Sequence, residues 1–153
     1  MIPSGRHPIR LRISSSPSQL GVVRAAVEKT ALLVGLEAKE ADQVVLSVDE
    51  ALTNIIRHAY AGAEDQPIEI DLAVVEDAGG SIFRIRVRDY GRHVDPARIR
   101  PRDLSKLRPG GLGVHIIQKC MDSVEYRLGE GGGTVLTMHK KLGPSSRRTG
   151  AGR

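Results

Sequence analysis

Two alternating segments joined by a tight turn constrain this chain more than any other feature. Ile68, Ile70, Leu72 and Val74 recur at every second position, Asp77-Ala-Gly-Gly80 follows, and Phe83, Ile85 and Val87 resume the same period. Period two places these apolar side chains on one face of a strand pair, with Arg84, Arg86 and Arg88 on the other. The glycine turn between them predicts an antiparallel hairpin. A sheet with one apolar face is stable only when another layer covers that face.

The rest of the chain supplies that layer and more strands. Ile9, Leu11 and Ile13 alternate with Arg10 and Arg12 and predict a first strand. Residues 14–18, with Pro17, read as a turn and N-cap. A helix follows over about 19–34, broken by Gly35, and a second over about 38–59. After the hairpin, residues 90–111 are polar, basic and punctuated by Pro96, Pro101 and Pro109. At most one helical turn fits there, near 96–99. A stretch this long is more than a plain connection in a compact domain needs, so 92–110 is expected to be a functional lid. A helix over 112–121, a strand carrying Val124, Tyr126 and Leu128, a glycine turn at 129–133 and a strand over 134–141 complete a domain spanning 1–142. Residues 143–153 read as a disordered basic tail. The order β-α-α-β-β-lid-α-β-β has hairpins in place of repeated βαβ units. It predicts an α/β (α+β) fold: a two-layer sandwich with a mostly antiparallel sheet covered on one face by helices.

Composition narrows the function classes. The chain has 153 residues, enough for one domain with a real core, and only 3% are aromatic, so that core is built from Val, Ile, Leu and Ala. A net charge of +5 suggests a nucleic-acid partner, but its distribution argues otherwise. Six basic residues against two aspartates lie in 92–108, and three arginines lie in 147–153. The remainder is more acidic than basic. A basic loop beside a glycine turn suits a small polyanion better than a duplex. No stretch is long enough to span a bilayer, and the N-terminus has no apolar signal region, so a cytoplasmic location is expected. Cys120, the single cysteine, lies among Ile116, Ile117 and Met121 and reads as a core thiol.

Four constellations carry chemistry. On the second helix, Val44, Val45, Val48, Ala51, Leu52, Ile55, Ile56 and Ala59 cover one face, while Gln43, Ser47, Glu50, Asn54, Arg57 and His58 cluster opposite. Glu50, Asn54 and His58 follow at i, i+4 and i+8. Asn54 is a poor helix former whose carbonyl suits Mg²⁺, and a carboxylate one turn away can take a proton from an attacking hydroxyl or water. A solvated helix face explains the same residues equally simply. Asp89 directly follows a strand, where it can accept a hydrogen bond from an adenine amine, and Gly91 lets backbone approach a flat base. A plain surface turn also fits. Gly110, Gly111 and Gly113, with the helix beginning at Leu112, can aim backbone N–H groups at an anion. Thr134, after Gly133, can touch a base or its water, or simply be a β-branched strand residue.

Taken in order, Glu-x3-Asn, Asp-x-Gly, a basic lid, Gly-Gly-x-Gly and Gly-Thr resemble the GHKL ATPases, the superfamily of gyrase, heat-shock chaperone, histidine kinase and mismatch-repair ATPases. The segments SVDEALTNIIRHAY, VRDYGRHVDP and GGLGVHIIQKCMDSVEY more closely resemble the anti-sigma factor serine/threonine kinases of bacterial partner-switching systems, over about residues 9–142. The resemblance implies ATP and Mg²⁺ as cofactors, with Asn54 as the metal ligand and Glu50 as the base. It implies that Asp89 binds adenine, and that Arg57, His58, Gly91, Arg92, Gly110, Gly111, Leu112, Gly113 and Thr134 line the nucleotide site. The lid would close over the triphosphate, its cations offsetting the charge that develops during transfer. The implied partners are an anti-anti-sigma protein of STAS type and a sigma factor, with a homodimer as the expected assembly and neither membrane nor direct nucleic-acid contact. One departure stands out: Arg92-His93 replaces the second glycine that broader GHKL members carry after Asp-x-Gly. Two other function classes compete with a kinase: a nucleotide-binding switch that controls a partner by contact alone, and a basic nucleic-acid binder.

Overall fold

The computed structural model describes residues 2–91 and 112–144. The expected lid, with Arg92, Gly110 and Gly111, and most of the expected tail lie outside the described residues.

Among the described residues five strands form one antiparallel sheet: β1 (Ile9–Ser14), β2 (Pro67–Asp77), β3 (Gly80–Asp89), β4 (Ser123–Leu128) and β5 (Thr134–Lys141), in the spatial order β1-β2-β3-β5-β4. Charge and apolarity agree on the register. Along β1 and β2, Ile9, Leu11 and Ile13 face Leu72, Ile70 and Ile68, while Arg10 and Arg12 face Asp71 and Glu69. Along β2 and β3, Ile70, Leu72 and Val74 face Val87, Ile85 and Phe83, while Glu69 and Asp71 face Arg88 and Arg86. A slip of one residue would expose the apolar set and bury the charged one, so the pairing is strongly specified.

Three helices cover the apolar face: α1 (Leu20–Leu33), α2 (Ala38–Asn54) and α3 (Leu112–Cys120), the first entered through a 3₁₀ turn at Pro17–Gln19. Gly35, at φ 101°, ends α1 where an L side chain would be strained. The Glu40 carboxylate reaches back 3.1 Å to the Glu37 N–H and anchors the start of α2. Val44, Val48, Ala51 and Leu52 from α2 and Val23, Val27 and Ala31 from α1 are buried against Ile70, Leu72, Phe83, Ile85 and Met138 of the sheet. The α+β two-layer sandwich expected from the element order is thus the observed architecture.

Three details differ from the periodic reading. The second helix changes at its end into a π-helical segment, Ile55–Ala59, in which the Tyr60 N–H bonds to the Ile55 carbonyl at 2.9 Å. Ser47, placed by helical phase on the polar side, is fully buried because its hydroxyl bonds to the Gln43 carbonyl at 2.9 Å and needs no water. Cys120 is half-buried at the end of α3 instead of lying within the core.

Phe83 is fully buried where β3 meets the helix layer. Phe83→Ala is expected to lower the unfolding free energy by about 3–5 kcal/mol in a urea titration. A loss below about 1 kcal/mol would contradict this packing.

Candidate functional site

Strand alternation alone would give β3 an apolar residue at its last inward position. Phe83, Ile85 and Val87 occupy the earlier ones, and Asp89 occupies the last, paired with Ile68 across the ladder. A carboxylate only 4% exposed on the core face of a sheet is costly unless its oxygens find donors. The Gly91 N–H lies 2.9 Å from Asp89 Oδ1, and the Thr134 N–H at the start of β5 also donates to the carboxylate. Burial pushes its pKa above the ordinary carboxylate range. These two amides and the Arg88 guanidinium oppose that rise.

Glycines let three segments close around this carboxylate. A β-carbon at Gly91 would stand 2.5 Å from the Ala59 carbonyl oxygen, so the end of the π segment packs directly on the backbone after β3. A β-carbon at Gly133 would land on the Asp89 carbonyl oxygen, and its φ of 69° is itself a glycine conformation. Arg88 supports the Gly133 turn from the far side of the sheet. Its guanidinium donates to the Glu130 carbonyl at 2.5 Å and lies 4.4 Å from the centre of the Tyr90 ring.

The α2 helix brings its polar residues to the same end of the molecule. Glu50 and Asn54 are both half-buried and one turn apart, and Asn54 directly precedes the π segment that ends on Gly91. The Asn54 side-chain nitrogen is buried and has no hydrogen-bond partner among the described residues. Buried amides are almost always paired, so this one is suited to a bound group. Arg57 and His58 lie within the π segment and are exposed. Widening the turn there rotates His58 away from the i+8 alignment with Glu50 that 3.6 residues per turn would give. Thr134 is half-buried beside Asp89. Leu112 and Gly113 open α3; Arg92, Gly110 and Gly111 lie outside the described residues.

Two residues of this region escaped the sequence reading. Arg88 appeared only as one of three arginines on an outer strand face, and nothing in the spacing linked it to a turn 42 residues away. Tyr60 ends the segment SVDEALTNIIRHAY, but nothing in that segment gave its hydroxyl a partner. The one available signal was an acid at an inward strand position, and that signal concerns Asp89.

The helix, strand end and turn together offer a buried acceptor carboxylate, two places where only backbone intervenes, an unpaired amide and a second carboxylate one helical turn from it. Such a set can recognise a flat heterocycle carrying an exocyclic amine and place a proton acceptor near its substituents.

The model of the histidine kinase-like ATPase domain matches residues 13–140. The chain is 29% identical over 139 residues to the serine-protein kinase RsbW of Listeria monocytogenes, covering 86% of each protein. It is 27% identical over 143 residues to the serine-protein kinase RsbW of Bacillus subtilis, covering 88% of this chain and 85% of that one. Its fold is similar to a chain in the SiaB–SiaC complex from Pseudomonas aeruginosa, with a TM-score of 0.63, 16% identity and coverage of 86% and 88%. It is also similar to the RsbU and RsbW domains of a Mycobacterium tuberculosis protein, with a TM-score of 0.58, 16% identity and coverage of 88% of this chain and 33% of that one.

The raised pKa of Asp89 has a definite sign in stability. Its neutral form suits the fold, so its contribution is full below the ordinary Asp pKa of about 3.9 and is lost as the pH rises through the raised value. Relative to Asp89→Asn, which does not titrate, the native protein should gain stability as the pH is lowered through that range. Urea titrations of both proteins at stepped pH measure this, and a gap that widens in the opposite direction would contradict it.

Proposed function

Since the chain belongs to the family of histidine kinase-like ATPase domains, we propose that it is an ATP-dependent protein serine/threonine kinase that also acts as an anti-sigma factor in partner switching. The observation that carries this reading is Asp89: a buried carboxylate at a strand end, flanked by Gly91 and Gly133, beside the helix that bears Glu50 and Asn54.

Each residue has a role. Asp89 accepts a hydrogen bond from the adenine amine, and its orientation is set by the Gly91 and Thr134 amides. Gly91 and Gly133 let the Ala59 carbonyl and the Asp89 backbone pack closely here, which fixes the strand end that carries the carboxylate. Glu50 takes the proton from the acceptor hydroxyl as it attacks the γ-phosphorus. The bond to the bridging oxygen breaks in line, and ADP leaves. Asn54 would hold Mg²⁺ through its carbonyl oxygen, and the ion would supply screening of the phosphate charge. Gly110, Gly111, Leu112 and Gly113 are the residues proposed for the phosphates; the first two and the basic segment 92–110 lie outside the described residues.

The acceptor is a serine or threonine on an anti-anti-sigma protein of STAS type. The competing partner is a sigma factor, held by a homodimer of this chain in the cytoplasm. The names of the RsbW relatives support the kinase reading. No helix among the described residues is long and apolar enough to cross a membrane.

Labelled ATP, Mg²⁺ and the anti-anti-sigma protein of the same organism test the reading. Transfer to Ser or Thr is expected, and Glu50→Gln should slow it by about 10²–10⁴-fold with little change in ATP affinity. Asp89→Ala should weaken ATP binding by about 1–3 kcal/mol in calorimetry. Tight ATP binding without transfer to any such protein would leave a switch that controls its partner by contact alone.

A further inference from the structure

The strand ladder between β2 and β3 stops one residue earlier than its geometry requires. In this register Ile68 pairs with Asp89, so the next pair is Pro67 with Tyr90. The Ser15 N–H bonds to the Gln66 carbonyl at 2.7 Å, so Gln66 faces β1 and the following residue, Pro67, presents its carbonyl to β3. A direct bond from the Tyr90 N–H to the Pro67 carbonyl would continue the ladder. Instead the Tyr60 hydroxyl stands between them, donating to Pro67 O at 2.5 Å and accepting from the Tyr90 N–H at 2.7 Å.

We infer that Tyr60 is a positioning residue for base recognition: its hydroxyl, wedged into the ladder, splays the end of β3 from β2 and sets the direction of Asp89, Tyr90 and Gly91. The inference rests on the nucleotide reading above and adds the residue that makes the Asp89 site selective.

Three features give the wedge its leverage. Tyr60 directly follows the π segment, and its own N–H closes that segment on Ile55, so the ring is fixed to the element that carries Ala59. Ala59 in turn presses on Gly91, so the same short stretch touches the Asp-x-Gly turn at its middle amide and at its last residue. Finally, the hydroxyl keeps its proton. Burial pushes the phenol pKa up and the nearby Asp89 charge adds to the rise, so the group that must donate to Pro67 remains able to do so. Without the hydroxyl, two groups lose their shared partner. The direct Tyr90–Pro67 bond then becomes the available replacement, and forming it draws Tyr90 toward β2 and turns Asp89 with it.

Tyr60→Phe tests this in the full chain, alongside Asp89→Ala. Tyr60→Phe should raise KM for ATP about tenfold or more, the equivalent of about 1.4 kcal/mol. It should leave kcat within a factor of about three, a change under about 0.7 kcal/mol, and reduce the preference for ATP over GTP. A purely structural role would lower the melting temperature and leave that preference intact. If Tyr60→Phe discriminates as the native protein does while Asp89→Ala loses ATP, the inference fails and the nucleotide reading survives. If Asp89→Ala binds ATP normally, both fall together. Should Tyr60→Phe not fold, 3,5-difluorotyrosine at position 60 supplies a phenol that loses its proton at lower pH than tyrosine. Its ATP affinity should drop as that proton leaves, and a pH dependence identical to the native protein's overturns the inference.

Discussion

One buried carboxylate organises this molecule. Asp89 takes the last inward position of β3, after the apolar Phe83, Ile85 and Val87, and its burial would be unfavourable without donors on two sides. The structure provides them from backbone: the Gly91 amide from its own strand end and the Thr134 amide from β5. Close approach around this carboxylate excludes β-carbons at two places: Gly133 lies against the Asp89 backbone, and Gly91 lies against the Ala59 carbonyl. The same requirement explains Arg88, which holds the 129–133 turn in place from the opposite face of the sheet.

The helix layer meets this carboxylate through an irregularity. A regular α2 would carry its phase through residue 59. The π segment at Ile55–Ala59 widens the final turn, brings Ala59 onto Gly91 and leaves Asn54 at the junction with a buried, unpaired nitrogen. Such segments concentrate at functional sites because they trade regular hydrogen bonding for placement of a few residues. Here the segment relates the polar stripe of α2 to the end of β3, joining the group proposed to hold the metal to the group proposed to hold the base.

Much of this was legible beforehand, for reasons that are local. Alternation at 68–74 and 83–87, helical spacing at 44–56 and glycine turns at 77–80 and 129–133 act within a few residues, and each element formed where its pattern lay. Glu50, Asn54, Asp89 and Gly91 are singled out by their order along the chain, since each alone also fits a solvated helix face or a surface turn. Ser47 was misplaced because a helical serine can satisfy itself on the preceding turn, so polarity did not imply exposure. The π segment left no mark in the spacing, and Ala59 at its end packs on Gly91, 32 residues further along the chain. Tyr60 acts through contacts 7 and 30 residues distant, which no spacing rule spans.

What all of this depends on is convergence: one adenine nucleotide touching α2, the end of β3 and the start of β5 at once. Titrating the isotope-labelled protein with ATP and Mg²⁺, and following its amide resonances by NMR, tests that most directly. The account predicts that the Gly91, Gly133 and Thr134 backbone amides and the Asn54 side-chain amide shift together along one saturation curve. Saturable shifts confined to the arginine-bearing outer face of the sheet, with those four signals unmoved, would contradict it.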